Sequence, residues 1–137
     1  MPVVIGGIEA SLRRFAHYDY WADKVLPSIL ISSGADLLIY GMGERPIKEI
    51  CEAIKKGIPV NKLRDIRGTC YAAPYEELSK KLKSEAECGQ ALFCPSFENV
   101  SRDKTEYVKA FRRQAENNDP YAGKTLIQKH GNICVVQ

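Results

Sequence analysis

Short continuous apolar runs mark the strand-sized segments of this chain. Residues 2–7 and 35–40 are two such runs, and each closes at a glycine, which predicts two buried strands. Later runs predict further strands at 66–73, 91–94, 126–127 and 133–136, the last two joined by a turn at 130–132.

Two other segments carry helical periodicity. A stripe at i, i+3, i+4 and i+7 predicts an amphipathic helix over 44–56, formed by Ile47, Ile50, Cys51 and Ile54. A second helix is predicted from Asp103, whose spacing to Glu106 matches a capping box. It ends before 117–120, with one apolar side formed by Tyr107, Val108, Phe111 and Ala115.

The remaining pattern is weaker. Residues 8–33 predict one or two helical turns broken by Pro27. The charge-mixed segment 74–87 favours a solvated excursion, and a short helix through Leu78 and Leu82 is the alternative. Buried strands alternating with amphipathic helices indicate an α/β fold, with a mostly parallel, Rossmann-like sheet flanked by helices. Residues 1–137 are expected to form one such unit.

Composition narrows the class without naming a function. The 137 residues include 45% apolar and 27% charged residues, values typical of globular proteins. A net charge of +3, from 20 basic and 17 acidic residues, argues against a dedicated nucleic-acid binder. No apolar run approaches the roughly 20 residues of a membrane span, and no leader pattern opens the chain, so a cytoplasmic protein without a membrane partner is expected.

The five cysteines do not have the spacing of a metal site. No two lie closer than six positions among Cys51, Cys70, Cys88, Cys94 and Cys134. Structural zinc and iron–sulfur sites usually take two ligands from one short turn. We therefore expect reduced thiols and no metal ligands in this chain.

Two glycine-marked loops follow the first two strands and are the candidate ligand site. Open α/β sheets bind ligands beyond the carboxyl ends of their strands, where glycine lets a ligand approach the backbone. The candidate cofactor-binding residues are Gly6, Gly7, Glu9 and Ser11 in the first loop and Gly41, Gly43 and Glu44 in the second. The alternative is that both loops are tight turns that need glycine for steric reasons.

A basic and aromatic segment follows the first glycine loop. Arg13 and Arg14 could bind an anion, with stacking on a planar group by Tyr18, Tyr20 or Trp21. Alternatively, the aromatic rings pack beneath the sheet edge while the arginines pair with Glu9, Asp19 or Asp23. His17 is expected to be a hydrogen-bonded structural residue, because no partnered nucleophile is evident.

The chain resembles the YgiQ family of radical S-adenosylmethionine proteins in five segments: GGIEASLRRFAHYDYW at 6–21, ADLLIYGMGER at 35–45, IRGT at 66–69, PSFENV at 95–100 and NDPYAGKTLIQKHG at 118–131. The resemblance implies a cobalamin-binding-like α/β domain upstream of a radical S-adenosylmethionine barrel. In that barrel a CxxxCxxC loop holds a 4Fe-4S cluster that binds S-adenosylmethionine. The loop is missing here, so we expect a truncated, non-catalytic fragment whose partner is the barrel of the same chain.

Three functions follow as hypotheses. The leading one is an accessory substrate- or cofactor-recognition part of a radical S-adenosylmethionine enzyme. The second is a non-catalytic module that binds cobalamin, a nucleotide or another small molecule, although no DxHxxG motif offers an axial histidine. The third is an RNA or protein contact role through the basic residues Lys80, Lys81, Lys83, Arg112 and Arg113, with nucleic acid the less expected partner.

Overall fold

The computed structural model describes residues 1–119 and 122–137. Pro120 and Tyr121, inside the motif at 118–131, lie outside the described residues. The strands are β1 (Val4–Ile5), β2 (His17–Asp19), β3 (Lys24–Leu26), β4 (Leu37–Ile39), β5 (Thr69–Pro74), β6 (Ala91–Phe93), β7 (Thr125–His130) and β8 (Ile133–Val136). The helices are α1 (Ile8–Leu12), α2 (Ile29–Ser33), α3 (Glu44–Lys55), α4 (Tyr75–Glu87), α5 (Phe97–Arg102) and α6 (Lys104–Glu116), with a 3-10 turn at Val60–Lys62.

The main sheet has six strands in the order β1-β4-β5-β8-β7-β6, and β2 and β3 form a separate hairpin. The α/β class is confirmed, but the sheet is mixed rather than mostly parallel. Only the outer pairs β1–β4 and β6–β7 are parallel, while β4–β5, β5–β8 and β7–β8 are antiparallel. The two-residue connection at Gly131 and Asn132 requires an antiparallel β7–β8 pair, because parallel strands need a long crossover.

Helices cover both faces of the sheet. Leu37 and Ile39 face the core beneath α3 and α4, whereas Leu38 between them faces the core beneath α1 and α2, as the two-residue period of a strand requires. A smaller cluster joins the hairpin to α5 and α6 through Val25, Val100 and Ala110. The hairpin and these two helices extend the layer over the second face.

Residues 75–87 form the helix α4, so the favoured prediction of a solvated excursion was wrong and the alternative of a helix through Leu78 and Leu82 is confirmed. Leu78 and Leu82, one turn apart, are both buried in the core beneath α4. Ala86 packs against the same core one turn later. The apolar stripe is only one residue wide, and the surrounding charges concealed it in the sequence.

The helices at 44–56 and from Asp103 are confirmed, but only part of each predicted apolar side is buried. On α3 the buried residues are Pro46 and Ile50, while Ile47, Cys51 and Ile54 are exposed. On α6 the buried residue is Ala110, while Val108 and Phe111 are exposed. The Asp103 side chain accepts a hydrogen bond from the backbone of Thr105 at 2.7 Å, whereas Glu106 pairs with Lys109 rather than closing a capping box.

The first third of the chain contains more helices and strands than predicted. Residues 8–33 form α1, the β2–β3 hairpin and α2 instead of one or two helical turns. The first strand has two residues, half-buried at the edge of the sheet, rather than a buried run over 2–7. The third main-sheet strand begins at Thr69 instead of residue 66.

Candidate functional site

The two glycine loops lie side by side at one edge of the sheet. They follow β1 and β4, and because these strands are parallel neighbours their carboxyl ends meet there. Ser11 joins the loops: its hydroxyl donates to the carbonyl of Gly7 at 2.8 Å and accepts from the backbone N–H of Gly41 at 3.3 Å. The structure therefore brings together the two segments that the sequence nominated separately.

Each glycine of the two loops occupies a position where a side chain would be strained or closely packed. Gly7 and Gly41 have φ of +94° and +69°, a region that side chains disfavour. A Cβ on Gly6 would lie 3.4 Å from the carbonyl oxygen of Ile39, and one on Gly43 would lie 3.4 Å from its Cγ2. The turn requirement accounts for these residues, yet the space beside the α-carbons of Gly7 and Gly41 is open for 4 Å.

Arg14 forms hydrogen bonds to two separate segments at this edge of the sheet. Its Nη1 donates to the carbonyl of Ser11 at 2.6 Å, and its Nε donates to the side-chain oxygen of Gln137 at 2.5 Å. The guanidinium lies 5.2 Å from the ring centroid of Tyr40, and burial raises the pKa of that phenol. Gln137, which directly follows the central strand β8 at this edge, was not predicted from the sequence because it comes close to Arg14 only after the sheet forms.

Arg13 forms ion pairs with nearby acidic residues. It pairs with Glu9 at 2.8 Å and with Asp19 at 3.6 Å. These are contacts that the structural alternative named, and they leave both carboxylates and the guanidinium engaged within the chain. Glu44 is exposed in the first turn of α3, where no side chain caps the helix.

The aromatic residues of the segment separate into buried and exposed groups. Phe15 is fully buried in the core beneath α1 and α2, as the structural alternative expected. Tyr20 and Trp21 instead form the turn between β2 and β3, with their rings edge to face at 5.8 Å. They are 78% and 91% exposed, so the expectation that these two rings pack beneath the sheet is wrong.

His17 is the first residue of β2 and is half-buried. One of its ring nitrogens is hydrogen-bonded within the chain. Its Nδ1 lies 3.2 Å from the carbonyl oxygen of Phe15, which can only accept, so this nitrogen carries the proton. Burial lowers its pKa, which favours the neutral ring. Its Nε2 is buried without a partner among the described residues, beside a pocket of about 40 Å³ lined by Leu12, Tyr107, Phe111 and Gln114.

No group of three metal-ligating side chains occurs among residues 1–119 and 122–137. Cys70, Cys94 and Cys134 are buried, and Cys51 and Cys88 are exposed. Burial raises the pKa of Cys70 to about 12 and that of Cys94 to about 11, which keeps these thiols protonated.

The predicted basic residues do not share one surface. Lys81 and its neighbours lie on α4, which packs on one face of the sheet, and Arg112 and Arg113 lie on α6 over the other face. Lys81 has Glu85 at 3.8 Å and Arg112 has Glu116 at 3.9 Å. Among the described residues, none of the helices combines the length and apolar character needed to cross a membrane.

Comparison with known proteins finds a matching family and relatives that are much longer than this chain. The family model described as radical SAM N-terminal matches residues 1–137. A UPF0313 protein of Clostridium botulinum (strain ATCC 19397 / Type A) is 48% identical over 136 residues, which cover 99% of this chain and 20% of the relative. A UPF0313 protein of Clostridium perfringens (strain SM101 / Type A) is 47% identical over 134 residues, 98% of this chain and 19% of the relative. The chain thus spans about a fifth of these relatives' length, and no solved structure matches it.

Proposed function

The chain belongs to the radical SAM N-terminal family, and from this premise we propose that it is the accessory recognition part of a radical S-adenosylmethionine enzyme. Its contribution in the parent protein is the sheet edge formed by the two glycine loops, where a small-molecule substrate or cofactor is recognised. The observation that carries the proposal is the hydroxyl of Ser11, which hydrogen-bonds both loops. This arrangement holds open backbone at the end of two parallel strands, a position where α/β sheets bind ligands.

The cofactors of such an enzyme lie, in this proposal, outside these residues. The spacing and burial of the five cysteines do not fit a 4Fe-4S cluster, which needs thiolates that converge on one site. The cluster and S-adenosylmethionine are therefore assigned to the remainder of the parent. A cluster held there would supply the electron for reductive cleavage of S-adenosylmethionine.

The test uses the full-length parent, reconstituted with iron and sulfide without oxygen and then supplied with S-adenosylmethionine and a chemical reductant. We expect iron–sulfur absorbance and release of 5′-deoxyadenosine, which increases when a small-molecule extract of the source cells is added. Absence of both signals in a folded protein would contradict the enzymatic assignment.

Two glycine variants test the recognition edge separately. Gly41→Ala and the control Gly57→Ala both place a methyl group at positive φ, +69° and +79°, with nothing within 4 Å of the new Cβ. Their backbone strain is therefore similar, about 1–2 kcal/mol, but Gly57 follows the other end of α3. We expect Gly41→Ala alone to lose the extract-dependent increase, and equal behaviour of the two variants would refute a role for this edge.

A second candidate is a non-catalytic binding module for cobalamin or a nucleotide. The open backbone at Gly7 and Gly41 favours it, while neither histidine lies in the glycine loops to offer an axial ligand. Calorimetry of the full-length parent with hydroxocobalamin, and separately with ATP, tests this candidate. Binding heat that Gly41→Ala removes and Gly57→Ala retains would support it, and absence of heat would exclude both ligands.

A further inference from the structure

Exposed apolar side chains lie on α1, on α6 and in the turn between β2 and β3. Leu12 on α1 is 71% exposed and Phe111 on α6 is 64% exposed. With the exposed turn residue Trp21 and their neighbours they form a set that we call the aromatic–apolar surface: Ile8, Leu12, Tyr20, Trp21, Val108 and Phe111. Large exposed apolar patches mark interaction sites, whereas single exposed apolar residues are ordinary.

Three contacts fix the elements of this surface relative to one another. Leu12 and Phe111 line the same small pocket, which joins α1 to α6. The backbone N–H of Tyr18 in β2 donates to the hydroxyl of Tyr107 on α6 at 3.3 Å. Arg13, directly after α1, pairs with Asp19 at the end of β2 at 3.6 Å. A surface held in this way loses little conformational freedom when a partner covers it.

The turn that presents Trp21 is itself tightly bonded. Asp19 accepts a hydrogen bond from the backbone of Ala22 at 2.7 Å, and the hydroxyl of Tyr18 donates to Asp23 at 2.5 Å. Asp23 has a φ of +46°, a conformation that residues other than glycine seldom adopt unless their surroundings impose it. The turn therefore holds an exposed tryptophan in a defined position, and tryptophan is among the residues most enriched at interface hot spots.

We infer that the aromatic–apolar surface is covered by the catalytic portion of the same polypeptide. This inference rests on the proposed function. The relatives are about five times as long as this chain, so most of such a polypeptide is available to cover the surface. Leu12 directly follows Ser11, whose carbonyl accepts a hydrogen bond from Arg14, and Arg14 also donates to Gln137.

The chemistry of the surface describes what covers it. The pocket between Leu12 and Phe111, about 40 Å³ in volume, accommodates one small apolar group of a covering surface. The two aspartates of the turn, Asp19 and Asp23, lie beside Trp21 and disfavour a phosphate backbone. An apolar protein surface meets these requirements, whereas RNA does not.

The test is cysteine labelling of the full-length parent bearing Phe111→Cys. Peptide mapping after maleimide treatment compares the introduced cysteine with the native Cys51 and Cys88, which are exposed on or after the helices of the opposite face. We expect residue 111 to react at least roughly ten-fold more slowly than these two controls, as a covered site does. Hydroxyl-radical labelling of Trp21 in the unaltered protein, expected to be low, gives the same information without a substitution.

Equal reaction rates at residue 111 and the two controls, together with strong labelling of Trp21, would overturn the inference. Protection that disappears on dilution would assign the surface to a second copy, and protection that ribonuclease removes would assign it to RNA; either result also overturns it. These readouts need no iron, S-adenosylmethionine or substrate. Failure of the enzymatic assignment is therefore distinguishable from failure of this one.

Discussion

Gln128→Met should destabilise the fold by removing one buried amide that serves two separate segments. Gln128 is fully buried on β7. Its Oε1 accepts from the backbone N–H of Ala16 at 2.7 Å, and its Nε2 donates to the carbonyl of Pro95 at 3.0 Å. One side chain thus attaches both the start of the hairpin and the approach to α5 to the central sheet.

The magnitude follows from the two groups that lose their partner. Methionine has nearly the same shape but replaces the amide, so a buried N–H and a buried carbonyl remain without hydrogen bonds. Each costs about 1–3 kcal/mol, so we expect a loss of about 2–6 kcal/mol. A domain of this size has a total of only about 5–15 kcal/mol, which makes the effect large.

The assay is urea unfolding of residues 1–137, followed by native-state hydrogen exchange. We expect the midpoint to fall with an unchanged m-value, and the amide of Ala16 to lose its protection before the amides of β7. Gln90→Met is the matched control, because Gln90 is exposed and its substitution should change stability by no more than about 0.5 kcal/mol. A loss below about 1 kcal/mol for Gln128→Met, or a protected Ala16 amide in that variant, would refute the reasoning.

Three further substitutions test other parts of the account. His130 is buried against Phe97, and burial lowers its pKa from 6.5 to about 4. Because the unfolded chain takes up the proton first, the free energy of unfolding falls as the pH drops from 6.5 towards 4. His130→Phe should recover about 2 kcal/mol of this loss at pH 5 in urea titrations, and an unchanged dependence of stability on pH would contradict the prediction. Arg14→Met should cost about 2–4 kcal/mol because two charged hydrogen bonds disappear, whereas Arg112→Met, on an exposed face, should be near neutral; equal unfolding midpoints would contradict the role given to Arg14. Trp21→Ser should change the stability of residues 1–137 by less than about 0.5 kcal/mol yet lower that of the full-length parent in calorimetric scans, and an unaffected parent would argue against a covered surface.

The sequence predicted elements where the local pattern alone determines the structure. The run at 35–40 and the stripe around Ile50 lie in β4 and α3, because a continuous apolar strand and a helical period have few alternatives. Strand direction is different, since an apolar run reads the same in a parallel or an antiparallel pair. Only the connection at Gly131 and Asn132 carried directional information, and it indicated the antiparallel β7–β8 hairpin that the structure contains.

The apolar side of α6 is only partly buried, and the reason is physical. The small side chain of Ala110 lies in the smaller core cluster and Tyr107 packs against it, while the larger Phe111 is exposed. An apolar pattern favours the larger residues, whereas packing favours the one that fits. Phe111, which the sequence placed on the apolar side, is found on the aromatic–apolar surface.

The candidate site was predictable in its location but not in its contacts. The sequence nominated both glycine loops because each follows an apolar run. The link through Ser11 and the bond from Arg14 to Gln137 join residues 30 and 123 positions apart, and no local pattern records such distances. The pairing of Arg13 with Glu9 was foreseeable because residues four apart meet on a helix.

The most direct test of the central claim is the iron content of a full-length parent without the cysteines of this chain. The exposed Cys51 and Cys88 are changed to serine, and the buried Cys70, Cys94 and Cys134 to alanine, before anaerobic reconstitution. If this chain is the accessory part, the variant retains the iron per polypeptide and the iron–sulfur absorbance of the unaltered protein. Loss of the cluster from a variant whose circular dichroism remains native would show that these residues hold the metal and would contradict the account.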